Sequence, residues 1–285
     1  MAMKIWLGEE LVEEKDAKVS VFDHGFLYGD GVFEGIRFYN GKILREKEHL
    51  VRLYESAKFI RLDIPMTLEE MSEAMKKTIE ANGLTNGYIR LVVSRGAGTL
   101  GLNPFLCKKA MVVIIAAGIQ LYPEELYEKG MKVVSSSFVR NAPQSVPPQV
   151  KSLNYLNNIL AKIEAIDNGV LEAIMYNQQG YVAEATGDNV FIVKDKVIYT
   201  PPVQSGSLTG ITRQLVIELA EKQGYTVVEK NLTRYDLYTA QEFFLTGTAA
   251  EVIGVVEIDG RKIGDGTPGP ISKELKEKFF EYANS

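Results

Sequence analysis

The chain has 285 residues, 46% of them hydrophobic and 24% charged, with a formal net charge of −5 at pH 7. That length can bury a sizeable core in two domains or one large one, and the composition is that of an ordinary globular protein. A negative balance without blocks of like charge argues against a nucleic-acid partner, and no apolar run reaches the length of a membrane span. A single cysteine, Cys107, excludes an internal disulfide. It leaves only His24 and His49 as other soft ligands, so no metal site is expected and neither histidine has the setting of a hydrolase triad. The first residues lack the basic, apolar, small-residue order of a signal peptide, and the expected location is the cytoplasm.

In chain order, residues 4–22 alternate apolar and polar positions around Gly8-Glu9 and read as a short hairpin. A glycine-rich connection from Asp23 to Gly31 leads into a strand over 32–39, closed by the turn signal Asn40-Gly41. Helices are predicted at 46–60 and 67–82, then strands at 88–94 and 110–117. Between these strands, Gly96-Ala-Gly98-Thr-Leu-Gly101 matches a dinucleotide fingerprint. Asn103-Pro104 follows where a helix should start, so the match fails. Apolar periodicity breaks near Tyr122-Pro123, which places a small α+β domain at 1–118, a linker at 119–127 and a larger α+β domain at 128–285.

The second half opens with a strand at 132–136 and a proline-rich run. Next, Lys151 precedes an amphipathic rhythm at Leu153, Leu156, Ile159, Leu160 and Ile163. That spacing sets Lys151 near the positive end of a helix dipole, which disfavours the ammonium form and suits a lysine that must act as a neutral amine. Strands are predicted at 172–176, 181–184, 189–193, 197–199, 226–230, 242–246 and 252–258, with helices at 211–223 and 270–283. The whole is an α+β pattern of antiparallel strands and scattered helices.

Three features carry chemistry. Ser205-Gly-Ser-Leu-Thr-Gly-Ile-Thr212 runs small residues into a helix start, the form of a phosphate cup without the ending of a nucleotide P-loop. Thr246-Gly-Thr-Ala-Ala250 is a second small-residue turn at a strand end. Glu184 is a carboxylate among small residues, suited to holding a pyridine nitrogen protonated. A lysine, a phosphate cup and such a carboxylate are the parts of a pyridoxal-phosphate enzyme, although each alone also reads as surface or turn.

Several motifs in order carry a resemblance over nearly the whole length. These are His49-Leu-Val-Arg52-Leu, Lys151-Ser-Leu-Asn-Tyr155-Leu, Glu184-Ala-Thr-Gly-Asp-Asn189, Leu208-Thr-Gly-Ile-Thr212-Arg and Gly247-Thr248-Ala-Ala-Glu. With them the chain resembles the fold-type-IV pyridoxal-phosphate enzymes, and among them the prokaryotic branched-chain amino-acid aminotransferases. The resemblance implies the two-domain, D-amino-acid-aminotransferase-like fold, pyridoxal 5'-phosphate as cofactor, and ping-pong exchange between leucine, isoleucine or valine and 2-oxoglutarate. It makes Lys151 the Schiff-base lysine and proton shuttle, Glu184 the partner of the pyridine nitrogen, and Tyr155 the partner of the phenolic oxygen. Arg52, Ile211, Thr212 and Thr248 would hold the phosphate, with Leu208 also in the cofactor-binding set.

For the substrate, the resemblance assigns Phe33 as an apolar wall with Gly35 leaving room beside it. Tyr88, with the N–H groups of Thr248 and Ala249, would take the α-carboxylate. Arg90, with Tyr28 of a partner subunit, would take the second carboxylate of 2-oxoglutarate. The 96–103 loop and the segment around Tyr122 would close over the side chain; there Gln120 and Leu121 stand where an aromatic is expected. A shared Tyr28 implies at least a homodimer, with a hexamer built as a trimer of dimers the larger assembly in view. D-amino-acid transamination and aminodeoxychorismate cleavage are rival readings on the same fold, and a cofactor-free binding protein is a rival of another class.

Overall fold

A computed structural model describes residues 2–285. Two units emerge: one formed by the described residues up to 119 with 150–154, the other by residues 120–149 with 155–285. The division expected from sequence, with breaks at 118 and 127, differs in one respect that matters: the five residues around Lys151 go with the first unit.

The first unit is a helix-covered antiparallel sheet. Strands Lys4–Leu7 (β1) and Glu10–Glu13 (β2) form the opening hairpin, which ends well before residue 22. A short helix, His24–Tyr28 (α1), lies within what the sequence reads as a glycine-rich connection; Asp23 caps it by accepting from the Gly25 N–H at 2.7 Å. Strand Gly31–Tyr39 (β3) turns through Asn40-Gly41, both at positive φ, into Lys42–Ile43 (β4). Helices Glu46–Phe59 (α2) and Leu68–Ala81 (α3) follow, the second opened by a Thr67/Glu70 capping box. Strands Gly87–Ser94 (β5) and Met111–Ala117 (β6) complete the sheet in the order β2-β1-β6-β5-β3-β4.

The period-two alternation of a strand decides which residues meet the helices. Val32, Ile36 and Phe38 of β3, with Ile89, Leu91 and Val93 of β5, join Leu50 and Leu53 of α2 and Met71 and Met75 of α3 in one core. Phe33 and Gly35 therefore point to the opposite face, and the register pairs Gly35 with Arg90 and Arg37 with Tyr88. Residues 151–153 run antiparallel to the start of β3. The Phe33 N–H donates to the Lys151 carbonyl at 2.9 Å and the Leu153 N–H to that of Gly31 at 3.0 Å.

The second unit holds helix Glu124–Lys129 (α4), strand Met131–Val139 (β7), helix Leu156–Asp167 (α5) and strand Glu172–Tyr176 (β8). Strands Val182–Ala185 (β9), Asn189–Lys194 (β10) and Val197–Thr200 (β11) lead to helix Ile211–Lys222 (α6) and strand Thr226–Glu229 (β12). Helix Arg234–Tyr238 (α7) precedes strands Glu242–Gly247 (β13), Glu251–Ile258 (β14) and Arg261–Lys262 (β15), and helix Pro270–Ala283 (α8) ends the chain. The sheet order is β12-β11-β10-β13-β14-β7-β8-β9, with β15 on β14.

This sheet is mixed, not purely antiparallel. The β7/β8, β11/β12 and β7/β14 pairs run parallel. Parallel neighbours need a crossover, and α5 and α6 supply those for β7/β8 and β11/β12. Helix α5 also turns its apolar stripe the other way from expectation. Its buried positions are Asn158, Ala161 and Ala165, whereas Leu156, Ile159, Ile163 and Ile166 are 66, 51, 49 and 58% exposed. The periodicity is helical, but small residues make the packed face. No helix among the described residues is long and apolar enough to cross a membrane.

Candidate active site

Lys151 lies in the first unit. Helix α5 begins at Leu156 with Tyr155 as its N-cap, five residues beyond Lys151, and a helix dipole acts only within the first turn. Lys151 therefore lies beyond the reach of the α5 dipole expected to act on it. What holds the residue is backbone pairing with β3, together with donation from its own N–H to Ser56 Oγ at 3.2 Å. Its Nζ stands 4.5 Å from the centroid of the Phe33 ring.

On the same sheet face the Arg90 guanidinium lies 4.7 Å from the Phe33 ring centroid and 5.5 Å from that of Tyr88. Half-buried Arg90 thus meets aromatic faces, a cation–π setting that moderates the cost of drying it. Gly35 is needed beneath: a Cβ there would meet the Tyr88 hydroxyl. The room expected beside Phe33 is filled by Tyr88 itself. Tyr28 donates its hydroxyl to the Leu100 carbonyl of the 96–103 loop, and its ring meets His24 edge-on. Lys151, Phe33, Gly35, Tyr88 and Arg90 are thus gathered around one stretch of β3 and β5.

Arg52 is no solvated helix arginine. It is buried, and its Nε and Nη2 donate to the two Glu34 oxygens at 2.7 and 2.8 Å. His49 contacts the same carboxylate, Nδ1 to Oε2, at 2.8 Å. Burial alone would raise the Glu34 carboxyl, but the Arg52 charge and the hydrogen bonds bring it down to about 2. Burial holds His49 below its ordinary value despite Glu34, so at neutral pH it is a neutral donor and Arg52 is the counter-charge. Sequence reasoning misses Glu34 and His49 as a pair with Arg52. The signal is there: Glu34 is the one charged residue on the apolar face of Val32-x-Glu34-x-Ile36-x-Phe38.

In the second unit Glu184 is buried and fully engaged. Arg140 donates Nε to Glu184 Oε1 at 3.0 Å and brings Nη2 into ion-pair contact with the same oxygen at 2.9 Å, and the Leu208 N–H donates to Oε2 at 2.8 Å. The Arg140 Nη1 reaches Asn157 and Asn158, each at 3.2 Å. Arg140 has no sequence signal; it stands in a polar loop before prolines. Asn189 ties the same region together by donating to the Leu208 carbonyl at 3.0 Å.

Helix α6 starts at Ile211 with Gly210 as an N-cap that offers no side-chain bond, and Thr212 is buried in its first turn. The first N–H groups of a helix have no intrahelical acceptor. Ser207 Oγ, just before this helix in sequence, and Thr246 Oγ1, on β13 beside the Thr248–Ala249 turn, are buried without a hydrogen-bond partner. Thr248 and Ala249 form a half-buried turn between β13 and β14. An uncapped helix start, buried hydroxyls and a fixed buried carboxylate match a phosphate and a protonated pyridine nitrogen, so these residues fit pyridoxal phosphate.

In the segment expected to close over the substrate, the Tyr122 ring belongs to the core of the second unit. Its hydroxyl contacts Glu172 Oε2 at 3.1 Å and Asp188 Oδ2 at 3.0 Å. A buried tyrosine hydroxyl requires partners, and these two carboxyl groups supply them.

Residues 31–258 match the family model for amino-transferase class IV. The chain is 54% identical, over 97% of its length and 95% of the relative's, to a Methanocaldococcus jannaschii protein that carries the name branched-chain-amino-acid aminotransferase provisionally. It is 40% identical to the Escherichia coli K12 branched-chain-amino-acid aminotransferase, covering 97% of this chain and 91% of that protein. The crystal structure of the Escherichia coli enzyme superposes with a TM-score of 0.96 at 39% identity, over 99% of this chain and 94% of that one. A second crystal structure, of a T.th. branched-chain amino acid aminotransferase with pyridoxamine 5'-phosphate, superposes with a TM-score of 0.95 at 42% identity, over 100% of this chain and 95% of that one.

Proposed function

The chain belongs to the class IV aminotransferase family, and from that premise we infer what its residues do in an exchange of amino groups between branched-chain L-amino acids and 2-oxo acids. It is a pyridoxal-phosphate-dependent branched-chain-amino-acid transaminase. Support for the residue roles comes chiefly from Lys151, which is fixed by the backbone of β3 with its amine over Phe33.

When bound, pyridoxal phosphate supplies an electron sink that acidifies the Cα–H of an amino acid joined to it. Lys151 anchors the cofactor and, as a general base, moves the Cα proton. Glu184, held by Arg140 and the Leu208 N–H, is an acceptor aimed to keep a pyridine nitrogen protonated. Tyr155 pairs with the phenolic oxygen. The start of α6 at Ile211 and Thr212, with Thr248 and Arg52, holds the phosphate, and Glu34 keeps Arg52 in one orientation.

Phe33 forms the apolar wall for an isobutyl or sec-butyl group. Tyr88 and the Thr248–Ala249 turn take the α-carboxylate, and Arg90 takes the second carboxylate when 2-oxoglutarate enters in the reverse half-reaction. Its place over two aromatic rings lets the pocket accept either an apolar side chain or an anion. Tyr28 of a partner subunit completes this end. We place the enzyme in the cytoplasm as at least a homodimer, and the exposed stripe Leu156, Ile159, Ile163 and Ile166 supports association, because apolar patches of this kind mark contact surfaces.

The test is formation of L-glutamate from L-leucine and 2-oxoglutarate by the holoenzyme. Amino transfer from D-alanine, or pyruvate release from aminodeoxychorismate without an acceptor, would instead support one of the rival chemistries.

A further inference from the structure

The second unit buries a pair of acids that the reaction as described does not use. Glu172 opens β8, Asp188 stands just before β10, and both are almost fully buried. The Tyr122 hydroxyl lies between them, 3.1 Å from Glu172 Oε2 and 3.0 Å from Asp188 Oδ2. A phenol has one proton to donate. The second contact is a hydrogen bond only if one acid carries a proton of its own and donates it to the tyrosine oxygen.

The surroundings decide which acid that is. Glu172 is ringed by donors: the N–H groups of Ala173 and Thr186 on Oε1 at 2.8 and 2.9 Å, and Lys162 Nζ on Oε2 at 3.3 Å. It is the carboxylate. Among the described residues no N–H or ammonium donates to the Asp188 side chain, and the charged groups that act on it are Glu172 on β8, Glu184 on β9 and Lys162 on α5. Burial and the charge of Glu172 push its carboxyl up to about 7, while Tyr122 and Lys162 pull the other way. The remaining oxygen, Asp188 Oδ1, rests on the backbone of Gly247, where an added Cβ would lie only 2.0 Å from it. Gly247 ends β13 and leads directly into Thr248 and Ala249.

We propose that Asp188 is a positioning residue, kept as a neutral acid that donates to Tyr122 and in that form fixes Gly247 and the Thr248–Ala249 turn for the substrate carboxylate. This rests on the reading of Thr248 and Ala249 as substrate contacts. Loss of the proton leaves two buried carboxylates on one hydroxyl. Their repulsion displaces Asp188, and its contact with Gly247 passes the shift to the turn.

The experiment compares the native holoenzyme with Asp188→Asn, whose amide reproduces the neutral donor. The probe is 4-methylvaleric acid, the leucine skeleton without its amine, titrated from about pH 5.5 to about pH 8.5, where the probe itself stays ionised. The ratio of native to variant Kd is expected to rise above neutral pH by up to about tenfold per pH unit. In parallel, infrared spectra should show a protonated carboxylic-acid band in the native protein that fades over the same range and is missing from Asp188→Asn. Tyr122→Phe removes the acceptor and should shift that band.

A flat Kd ratio would overturn the coupling to the turn, and absence of the acid band at the low end would overturn the shared proton. A merely structural role for Asp188 leaves the Kd ratio flat with pH even where the band fades. A probe that bound neither protein would refute the substrate reading and with it the role of the turn, whereas the band would still be present.

Discussion

The Tyr88 hydroxyl occupies the space that a side chain at residue 35 would need: a Cβ built on Gly35 would lie 1.8 Å from Tyr88 Oη and 2.6 Å from its Cζ. Gly35 pairs with Arg90 across β3 and β5, so this one contact sets the direction of the aromatic ring over which Arg90 is spread. Gly35→Ala should lower leucine kcat/KM by roughly tenfold or more in the native background. In a Tyr88→Ala background the same change should cost little, because neighbours in contact do not add. Steady-state kinetics on the four proteins checks this; equal losses in both backgrounds would separate the two residues.

The Glu34–Arg52 pair makes a prediction about acid stability. Glu34 is fully buried, and Glu34→Gln strands the Arg52 charge, at a cost of about 3–5 kcal/mol. The folded carboxyl is depressed to about 2 from an ordinary 4.5. A depressed acid contributes stability that is fully present above 4.5 and lost as pH falls toward 2. The stability gap between native protein and Glu34→Gln in urea unfolding should therefore be constant at neutral pH and shrink below about 4.5. His49 adds a separate, earlier loss in the native protein: its value lies below the ordinary 6.5, so the unfolded chain takes that proton first as pH falls below about 6.5.

Arg140 fixes Glu184, the carboxylate we assign to the pyridine nitrogen. Arg140→Met should weaken pyridoxal-phosphate retention by about tenfold or more, because Glu184 loses both guanidinium contacts and is left buried without its counter-charge. Arg140→Lys should recover only part of this, as one ammonium cannot bond Glu184 and both asparagines in the same fork geometry. Equilibrium dialysis of the cofactor measures it, and native retention by Arg140→Met would remove Arg140 from the site.

Much of this is legible in the sequence. The strand expected over 32–39, the Asn40-Gly41 turn and the helix expected at 67–82 yield β3, its hairpin and α3 from local chemistry. The α5 rhythm gives a helix, but not its orientation. Periodicity reports an apolar stripe without saying whether a core or a second surface covers it, and Ala161 and Ala165 pack closely enough to claim the inner face. The position of Lys151 is misread for a related reason: the extended run Lys151–Leu153 pairs with β3, more than a hundred residues earlier, and postpones the helix. Glu34 can be found as a charge on an apolar face. Arg140 and Asp188 cannot, because their partners meet only through long-range strand pairing.

The exposed stripe of α5 offers a test of assembly. Ile159→Asp with Ile163→Asp should shift the protein toward monomer in sedimentation velocity, because charge on a buried apolar contact is unpaired. Activity should fall with the dimer, since Tyr28 of the partner would be lost. An unchanged sedimentation coefficient would place the interface elsewhere.

The most direct measurement is the visible absorption spectrum of the holoenzyme before and after L-leucine, repeated with Lys151→Ala. The native protein should be yellow, lose that band on L-leucine, regain it on 2-oxoglutarate, and remain unchanged by D-alanine. Lys151→Ala should fall by orders of magnitude in turnover, having lost both the anchoring amine and the base. A native band indifferent to L-leucine, or a Lys151→Ala variant that cycles at the native rate, would contradict the assignment of the chemistry to Lys151.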